Sequence, residues 1–281
     1  AIRRARSVRE WAIELSDAAT TNAVTLPANT DPEAAAAAIR QRLGITRKAQ
    51  RAWHDEYEAL AGWRAAIESV GVLTMQMRRV DIAEARGFSL PASPLPAVVA
   101  NSKDWPRGRL FTFLHELAHV SLGQSGVCSL DETAQVEARC NAIAGAVLMP
   151  AEELRLEAAP HPGGDWGDAE LDALSRRFGA SREAVLVRLL TLRLASRTDY
   201  QRRQEGFARA YEVARQRRPG GRADPPADAV RSCGTTFARL VLEGLSRGRI
   251  TGADASEYLG IRFKHLPAVQ AELAGAAERQ A

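Results

Sequence analysis

The segment His115-Glu116-Leu117-Ala118-His119 constrains the fold of this chain more than any other. Two histidines four residues apart lie on one face of an α-helix, and the intervening glutamate carboxylate points into the same space. The flanks are apolar, with Phe-Thr-Phe-Leu before the motif and Val-Ser-Leu after it. Because an apolar core does not accept two imidazoles and a carboxylate without a partner, the segment predicts a helix with a metal site on one face.

A hydrolytic zinc site takes three protein ligands and keeps one position open for water. His115 and His119 supply two ligands, so the third must come from another segment. In the helix expected over residues 132–148, Glu137 and Asn141 lie four residues apart on one face. Glu137 is therefore the predicted third ligand, and Asn141 is predicted to hold the free nitrogen of one histidine. This leaves Glu116 to act as the catalytic base.

Several alternatives remain open at this point. Asp131 and Glu132 are also acidic, but they lie at a helix start, where the helix dipole favours acids without a metal. Cys140 would complete a site of two histidines and one cysteine, although cysteine is more often a small core residue. His161, in a loop, is a candidate hydrogen-bond donor to the transition state, with a solvated loop histidine as the alternative. Zinc is the expected ion, and manganese is the alternative because this donor set accepts several metals.

Composition indicates a folded protein in a reducing compartment. The chain has 281 residues, of which 46% are hydrophobic and 26% charged, so it can bury a proper core. Its three cysteines are irregularly spaced, which argues against a disulfide framework. No apolar run approaches the roughly 18 residues that a membrane span requires. We therefore expect a cytoplasmic protein without membrane contact.

The excess of positive charge is concentrated in one segment. The chain carries a net charge of +4, and residues 197–222 alone contain eight arginines and three acidic residues, a net charge of +5. The remainder is close to neutral, so the total charge alone does not predict nucleic-acid binding. If this chain contacts DNA, the arginine-rich segment 197–222 is the expected surface.

Local patterns predict an α+β chain that is mainly helical. Helices are expected over residues 1–19, 31–44 and 47–70. Three short β-prone segments come directly before the motif helix, at residues 72–77, 87–90 and 95–100. They predict a small three-stranded sheet packed against that helix. A Pro- and Gly-rich cluster at residues 160–164 predicts a domain boundary, and the sequence beyond it is helical throughout.

Residues 101–150 resemble the ImmA/IrrE family of zinc metallopeptidases. The resemblance lies in a strand ending in Asn101, the Phe-Thr-x-x-His-Glu-Leu-Ala-His sequence, and a Glu-x-x-x-Asn helix that finishes in Leu148-Met149-Pro150. With the preceding helices it covers about 130 residues. It implies a zincin-like fold, one zinc ion per chain, Glu137 as the third ligand and Glu116 as the base. The family often has alanine where this chain has Cys140, which supports a packing role for that cysteine.

The resemblance also implies a biological role. Family members are cytoplasmic proteases that cleave a helix-turn-helix repressor and so induce stress-response or mobile-element genes. Long members carry a helix-turn-helix domain ahead of the peptidase, and this chain starts in a helix similar to the connector that follows it. The DNA-binding part is therefore expected to be absent. The alternative is a transcriptional regulator or sensor, in which the peptidase fold is regulatory and the helical part binds DNA or a partner.

The expected organisation follows from the resemblance and the boundary signals. Residues 1–30 form an N-terminal helix and connector, residues 31–160 an ImmA/IrrE-like metallopeptidase domain, and residues 165–281 a helical C-terminal domain. Neither the residues nor the resemblance assigns a role to this last domain.

Overall fold

A computed structural model describes residues 1–17, 23–123, 130–159, 161, 165–216 and 224–278. Its strands are β1 (Leu73–Met77), β2 (Gly87–Leu90) and β3 (Ala97–Asn101). The helices in chain order are α1 (Ile2–Leu15), α2 (Pro32–Leu43), α3 (Arg47–Ala52), α4 (Glu56–Ser69), α5 (Pro106–Ser121), α6 (Leu130–Leu148), α7 (Ala151–Ala158), α8 (Asp168–Phe178), α9 (Arg182–Thr191), α10 (Arg197–Gln216), α11 (Pro225–Cys233), α12 (Thr235–Ser246), α13 (Gly252–Leu259) and α14 (Leu266–Glu278). No helix within these residues is long and apolar enough to cross a membrane.

The sheet has the strand order β1-β3-β2. Strand β3 pairs in parallel with β1 and antiparallel with β2. All three strands fall within or next to the segments predicted from sequence, and α5 packs on β2 and β3. The prediction of a mainly helical α+β chain, with a small sheet against the motif helix, is therefore confirmed.

Two apolar cores lie on opposite faces of the sheet. Successive side chains of a strand point to opposite faces, and in β3 Val98 joins the first core whereas Val99 joins the second. The first core contains buried side chains of α2 and α4–α9. The second contains side chains of α1 and α11–α14. Helix α5, which carries the histidine motif, thus lies on the face of the sheet that packs against the first core.

Helix α1 packs on the C-terminal helices rather than running free as a linker. Its buried positions include Val8 and Leu15, both in the second core. Trp11 stacks on Tyr258 of α13 with ring centroids 4.2 Å apart. The first core also continues from α7 to α8, across residues 160–164. The division into domains stays a prediction, because packing within one chain does not measure which segments fold independently.

The single helix expected over residues 47–70 is wrong, because the chain breaks between α3 and α4. Asp55 begins α4 by accepting hydrogen bonds from the backbone N–H groups of Tyr57 and Glu58 at 2.7 and 2.9 Å. The indole of Trp53 lies against Gly62, where an added Cβ would come within 2.3 Å of it. The aromatic spacing suggested one continuous apolar stripe, yet Tyr57 is 57% exposed.

Candidate metal centre

Helix α5 starts at a fixed position because the loop before it is anchored to the sheet. Asn101, fully buried at the end of β3, donates its side-chain amide to the Ala85 carbonyl oxygen at 2.8 Å and accepts the Lys103 N–H at 3.0 Å. Pro106 then occupies the first helical turn, where its missing N–H carries no cost. One face of α5 enters the first core through Leu110, Phe113, Leu114, Leu117 and Ala118. The two motif histidines are only partly buried.

Three predicted ligands meet between α5 and α6. Nε2 of His115 and Nε2 of His119 lie 3.1 Å apart. The carboxylate of Glu137 lies 3.2 Å from each of them, through Oε2 to His115 and Oε1 to His119. The histidine side chains are 14% and 13% exposed and that of Glu137 is 48% exposed. The cluster is therefore reachable from solvent on the Glu137 side.

The donor set fits a divalent transition metal. Two imidazoles and one carboxylate are a ligand set of hydrolytic zinc sites, and tetrahedral bonds of about 2.1 Å separate ligand atoms by about 3.4 Å. The observed separations of 3.1–3.2 Å are close to that value. Burial and the neighbouring His119 lower the pKa of His115, which favours the neutral imidazole that a metal ligand must be.

The rival ligands do not join this cluster. Cys140 is fully buried in the first core, and burial raises the pKa of its thiol to about 12. Among the described side chains, the group that can hold a metal contains His115, His119 and Glu137 but not Cys140. The side chains of Asp131 and Glu132 lie outside the described residues. Of the candidate ligands that can be compared, the geometry therefore favours Glu137.

The side chain of Glu116 extends from α5 toward the edge strand β2. Its carboxyl group is buried, and this burial raises its pKa to about 7, while a hydrogen bond from the Ser89 hydroxyl opposes the rise and Glu137 adds to it. A Cβ added to Gly87 would lie 3.3 Å from Oε1 of Glu116, so β2 passes directly beside the carboxylate. Sequence reasoning missed Ser89. The available signal was Gly87, since glycine in a strand marks a close approach.

Asn141 lies beside His115, one helical turn after Glu137. A hydrogen bond between the two side chains raises the pKa of His115, against the larger lowering by burial. Nδ1 of His115 is buried and has no hydrogen-bond partner among the described residues. Asn141 thus contacts His115 without holding its Nδ1, and the expectation that Asn141 holds the free nitrogen of one histidine stays a prediction.

His161 belongs to a different part of the structure. Its ring stacks on Trp166 at 4.0 Å between centroids, and its Nδ1 lies 2.9 Å from Oε1 of Glu170. Glu170 in turn accepts the Gly167 N–H at the start of α8, at 2.7 Å. These contacts connect the end of α7 to α8. Within the described residues His161 is not part of the metal-binding cluster, and a catalytic role for it stays a prediction.

The arginine-rich segment is partly neutralised where it is described. In α10, Arg203 pairs with the fully buried Asp199 at 3.0 Å and with Asp168 at 2.6 Å, and Arg202 pairs with Asp165. Arg209 remains 77% exposed, with Glu205 at 4.0 Å. Residues 217–222 lie outside the described part of the chain. Three arginines of the described part of this segment therefore have acidic partners within the chain, which reduces the charge available for DNA.

Comparison with known proteins finds a domain similarity that covers this site. The model of the IrrE N-terminal-like domain, a peptidase domain, matches residues 68–190. The match runs from the end of α4 into α9 and so contains the sheet, α5 and α6. A search of curated proteins finds no match. The matched residues include the histidine pair, Glu116 and Glu137, and this similarity to the IrrE N-terminal-like peptidase domain suggests a function of the metallopeptidase type.

Proposed function

We propose that this chain is a zinc-dependent endopeptidase with a zincin-like catalytic domain. The observation that supports it most is the arrangement of His115, His119 and Glu137, whose ligand atoms lie 3.1–3.2 Å apart with Glu116 next to the first histidine. The proposed substrate is a specific protein, a helix-turn-helix transcriptional repressor, and its cleavage would induce stress-response or mobile-element genes. The proposed ion is zinc, with manganese as the alternative.

His115, His119 and Glu137 would hold the ion. Zinc, when bound, acts as a Lewis acid and lowers the pKa of its water. Glu116 accepts a proton from the water that attacks the peptide carbonyl and delivers it to the leaving nitrogen. Burial raises the pKa of this carboxyl group above its ordinary value, which favours its uptake of a proton from water. The Ser89 hydroxyl orients the Glu116 carboxylate from the β2 side.

Strand β2 offers a place for the substrate backbone. It is an edge of the three-stranded sheet, paired with β3 on one side only among the described strands. Edge strands bind extended peptides through main-chain hydrogen bonds. Because Ser89 of β2 contacts the proposed base, a peptide paired along Gly87–Leu90 would pass close to Glu116.

The proposal is tested by metal content and by repressor cleavage in parallel. Purified wild-type protein and Glu116→Gln should each contain about one zinc per chain, and His119→Ala should lose it. On co-expression with a candidate helix-turn-helix repressor, only the wild type should yield repressor fragments, since loss of an acid–base catalyst costs about 10²–10⁴-fold in rate. The proposal fails if wild-type protein binds no divalent metal, or if Glu116→Gln cleaves at the wild-type rate.

The second candidate function is a regulator or sensor that binds DNA or a partner. Exposed arginines on α10, such as Arg209, motivate it, whereas the ion pairs of Arg202 and Arg203 weaken it. DNA affinity that falls steeply with salt and is unchanged in Glu116→Gln would favour this candidate. An absence of DNA retention at low salt would eliminate the DNA-binding form of it.

A further inference from the structure

The groove between α5 and α6 continues beyond the metal-binding cluster. Phe111 lies one turn before His115 on α5, and Asn141 lies one turn after Glu137 on α6. Both residues line a cleft of about 440 Å³ that also contains Gly108 from further back along α5. Because α5 and α6 run antiparallel here, the cleft lies about one helical turn, or about 5.4 Å, from the cluster along both helices. The cleft is therefore adjacent to the candidate metal centre, because Asn141 both lines the cleft and contacts His115.

Small and apolar side chains form most of the cleft wall. Its volume lies within the range of about 300–1,000 Å³ found for ligand pockets. Helix α9 contributes Ala184 and Val187 to this wall. Helices α5 and α6 contribute Phe111, Ala138, Ala142 and Gly145, among other small or apolar residues.

The cleft has unused space and an exposed apolar mouth. A Cβ added to Gly145 would meet only the Arg188 Cδ atom, at 3.8 Å. Val187 is 41% exposed although it is a branched aliphatic residue. Contact between this apolar surface and water is unfavourable. Burying it against an apolar group stabilises the complex by about 25 cal/mol per Å² of apolar surface.

The charged residues at the cleft already have intramolecular partners. Arg86 lies 3.4 Å from Asp104, and Arg107 lies 3.3 Å from Glu56. Arg188 pairs with Glu33 at 2.7 Å and donates to the Met149 carbonyl oxygen at 3.0 Å. The fourth charged residue of the lining, Glu183, accepts a hydrogen bond from the Tyr200 hydroxyl at 3.4 Å. Because the three arginines have acidic partners within the chain and the fourth charge is itself acidic, an apolar ligand group fits the cleft better than an acidic one.

We propose that this cleft binds a large aliphatic or aromatic side chain of the peptide substrate, next to the scissile bond. The inference rests on the proposed peptidase function and specifies its substrate class. In an extended peptide one residue spans about 3.3 Å, so a group one helical turn from the ligands belongs to a residue directly flanking the cleaved bond or to the next one. The cleft thus selects where along the substrate the bond is cut.

Peptide binding tests the inference separately from catalysis. The Glu116→Gln protein, loaded with zinc, is immobilised, and a pooled library of short synthetic peptides is passed over it. Retained peptides are sequenced by mass spectrometry. We expect leucine, isoleucine, methionine, phenylalanine or tryptophan to be enriched about ten-fold at one position, the factor expected for burial of one such side chain.

Two cleft variants and one matched control are made in the same background. Val187→Asp and Ala142→Leu should abolish the enrichment, the first by placing a charge at the mouth and the second by filling the space. Val213→Asp is the control, because Val213 is similarly exposed, at 46%, but lies on α10 and does not line the cleft. It should retain the same peptides as the parent. Zinc content and melting temperature establish that each variant is folded.

The outcomes separate the inference from the proposed function. Absence of any retained peptide, retention without apolar enrichment, or equal enrichment by Val187→Asp and Val213→Asp would each overturn the cleft assignment. Retained apolar peptides that the wild-type protein does not cleave would instead support the cleft assignment and count against the peptidase activity.

Discussion

Gly87 is the position at which one added methyl group should damage both the fold and the proposed catalysis. A Cβ atom there would lie 2.3 Å from Cγ2 of Thr112, 2.6 Å from the Val99 carbonyl oxygen and 3.3 Å from Oε1 of Glu116. Ordinary contacts begin at 3.4 Å. To accept alanine, β2 must therefore move by about 1 Å relative to α5 and to its partner strand.

The expected losses follow from that displacement. Overpacking of a well-packed site costs about 1–3 kcal/mol of unfolding free energy. At about 2–4 °C per kcal/mol for chains near this length, Gly87→Ala should melt about 2–12 °C below the wild type. A shift of about 1 Å in a reacting group costs about 10²-fold in rate. Cleavage of the repressor should fall by about that factor, because the methyl group presses on Glu116.

Thermal melting, zinc content and repressor cleavage are measured on the same preparations. Gly206→Ala is the matched control, since an added Cβ in the middle of α10 meets no atom within 4 Å. It should keep the wild-type cleavage rate and gain up to about 1 kcal/mol, the helix preference of alanine over glycine. The reasoning is refuted if Gly87→Ala melts within about 1 °C of the wild type and cleaves at its rate.

Three further predictions concern stability and chemistry outside the metal centre. Replacing Glu68 by alanine removes a buried acceptor of the Thr236 N–H and hydroxyl, so the unfolding free energy measured in urea should fall by about 3 kcal/mol, whereas the exposed Glu205→Ala should change it by less than about 0.5 kcal/mol. Hydrogen bonds from the residue that caps α13 lower the pKa of Asp254. Its stabilisation is therefore present at neutral pH and lost as the pH falls below the ordinary value of 3.8, and the melting-temperature difference between wild type and Asp254→Ala should shrink over that acidic range. Cys140 is buried with its pKa raised to about 12, so site-resolved mass spectrometry should find it alkylated by iodoacetamide in urea but not in the native protein, and equal labelling in both states would contradict the burial argument.

The ligands of the candidate site could be predicted because each pair depends on spacing along one helix. A four-residue interval places His115 next to His119, and the same interval places Asn141 one turn from Glu137. Which helix faced the histidines was inferred from acidic residues nearby in sequence. The contact of Ser89 with Glu116 could not be inferred in this way, because it depends on the register between β2 and α5 rather than on either segment alone.

The break near Trp53 was missed for a related reason. The aromatic and aliphatic residues Trp53, Tyr57, Leu60, Trp63 and Ile67 repeat at helical spacing, so periodicity alone favours one helix. In the structure the Trp53 indole packs directly against Gly62, and Asp55 caps the start of a new helix. Capping by aspartate was a visible local signal, but it competed with a longer apolar pattern and carries only about 1 kcal/mol.

The sequence of strand β3 predicts that both of its faces are buried but not which segments bury them. Residues Ala97-Val98-Val99-Ala100 are apolar without alternation and are at most 2% exposed, the pattern of a strand covered on both faces. The motif helix follows β3 directly, so it was expected to pack on one face of the strand, and it does. The other face is covered by α1 and by α11–α14, from the two ends of the chain. A run of four apolar residues predicts that a second segment packs on the other face of the strand. It does not predict which segment, because the helices that pack there are amphipathic and lie more than 80 residues away in either direction.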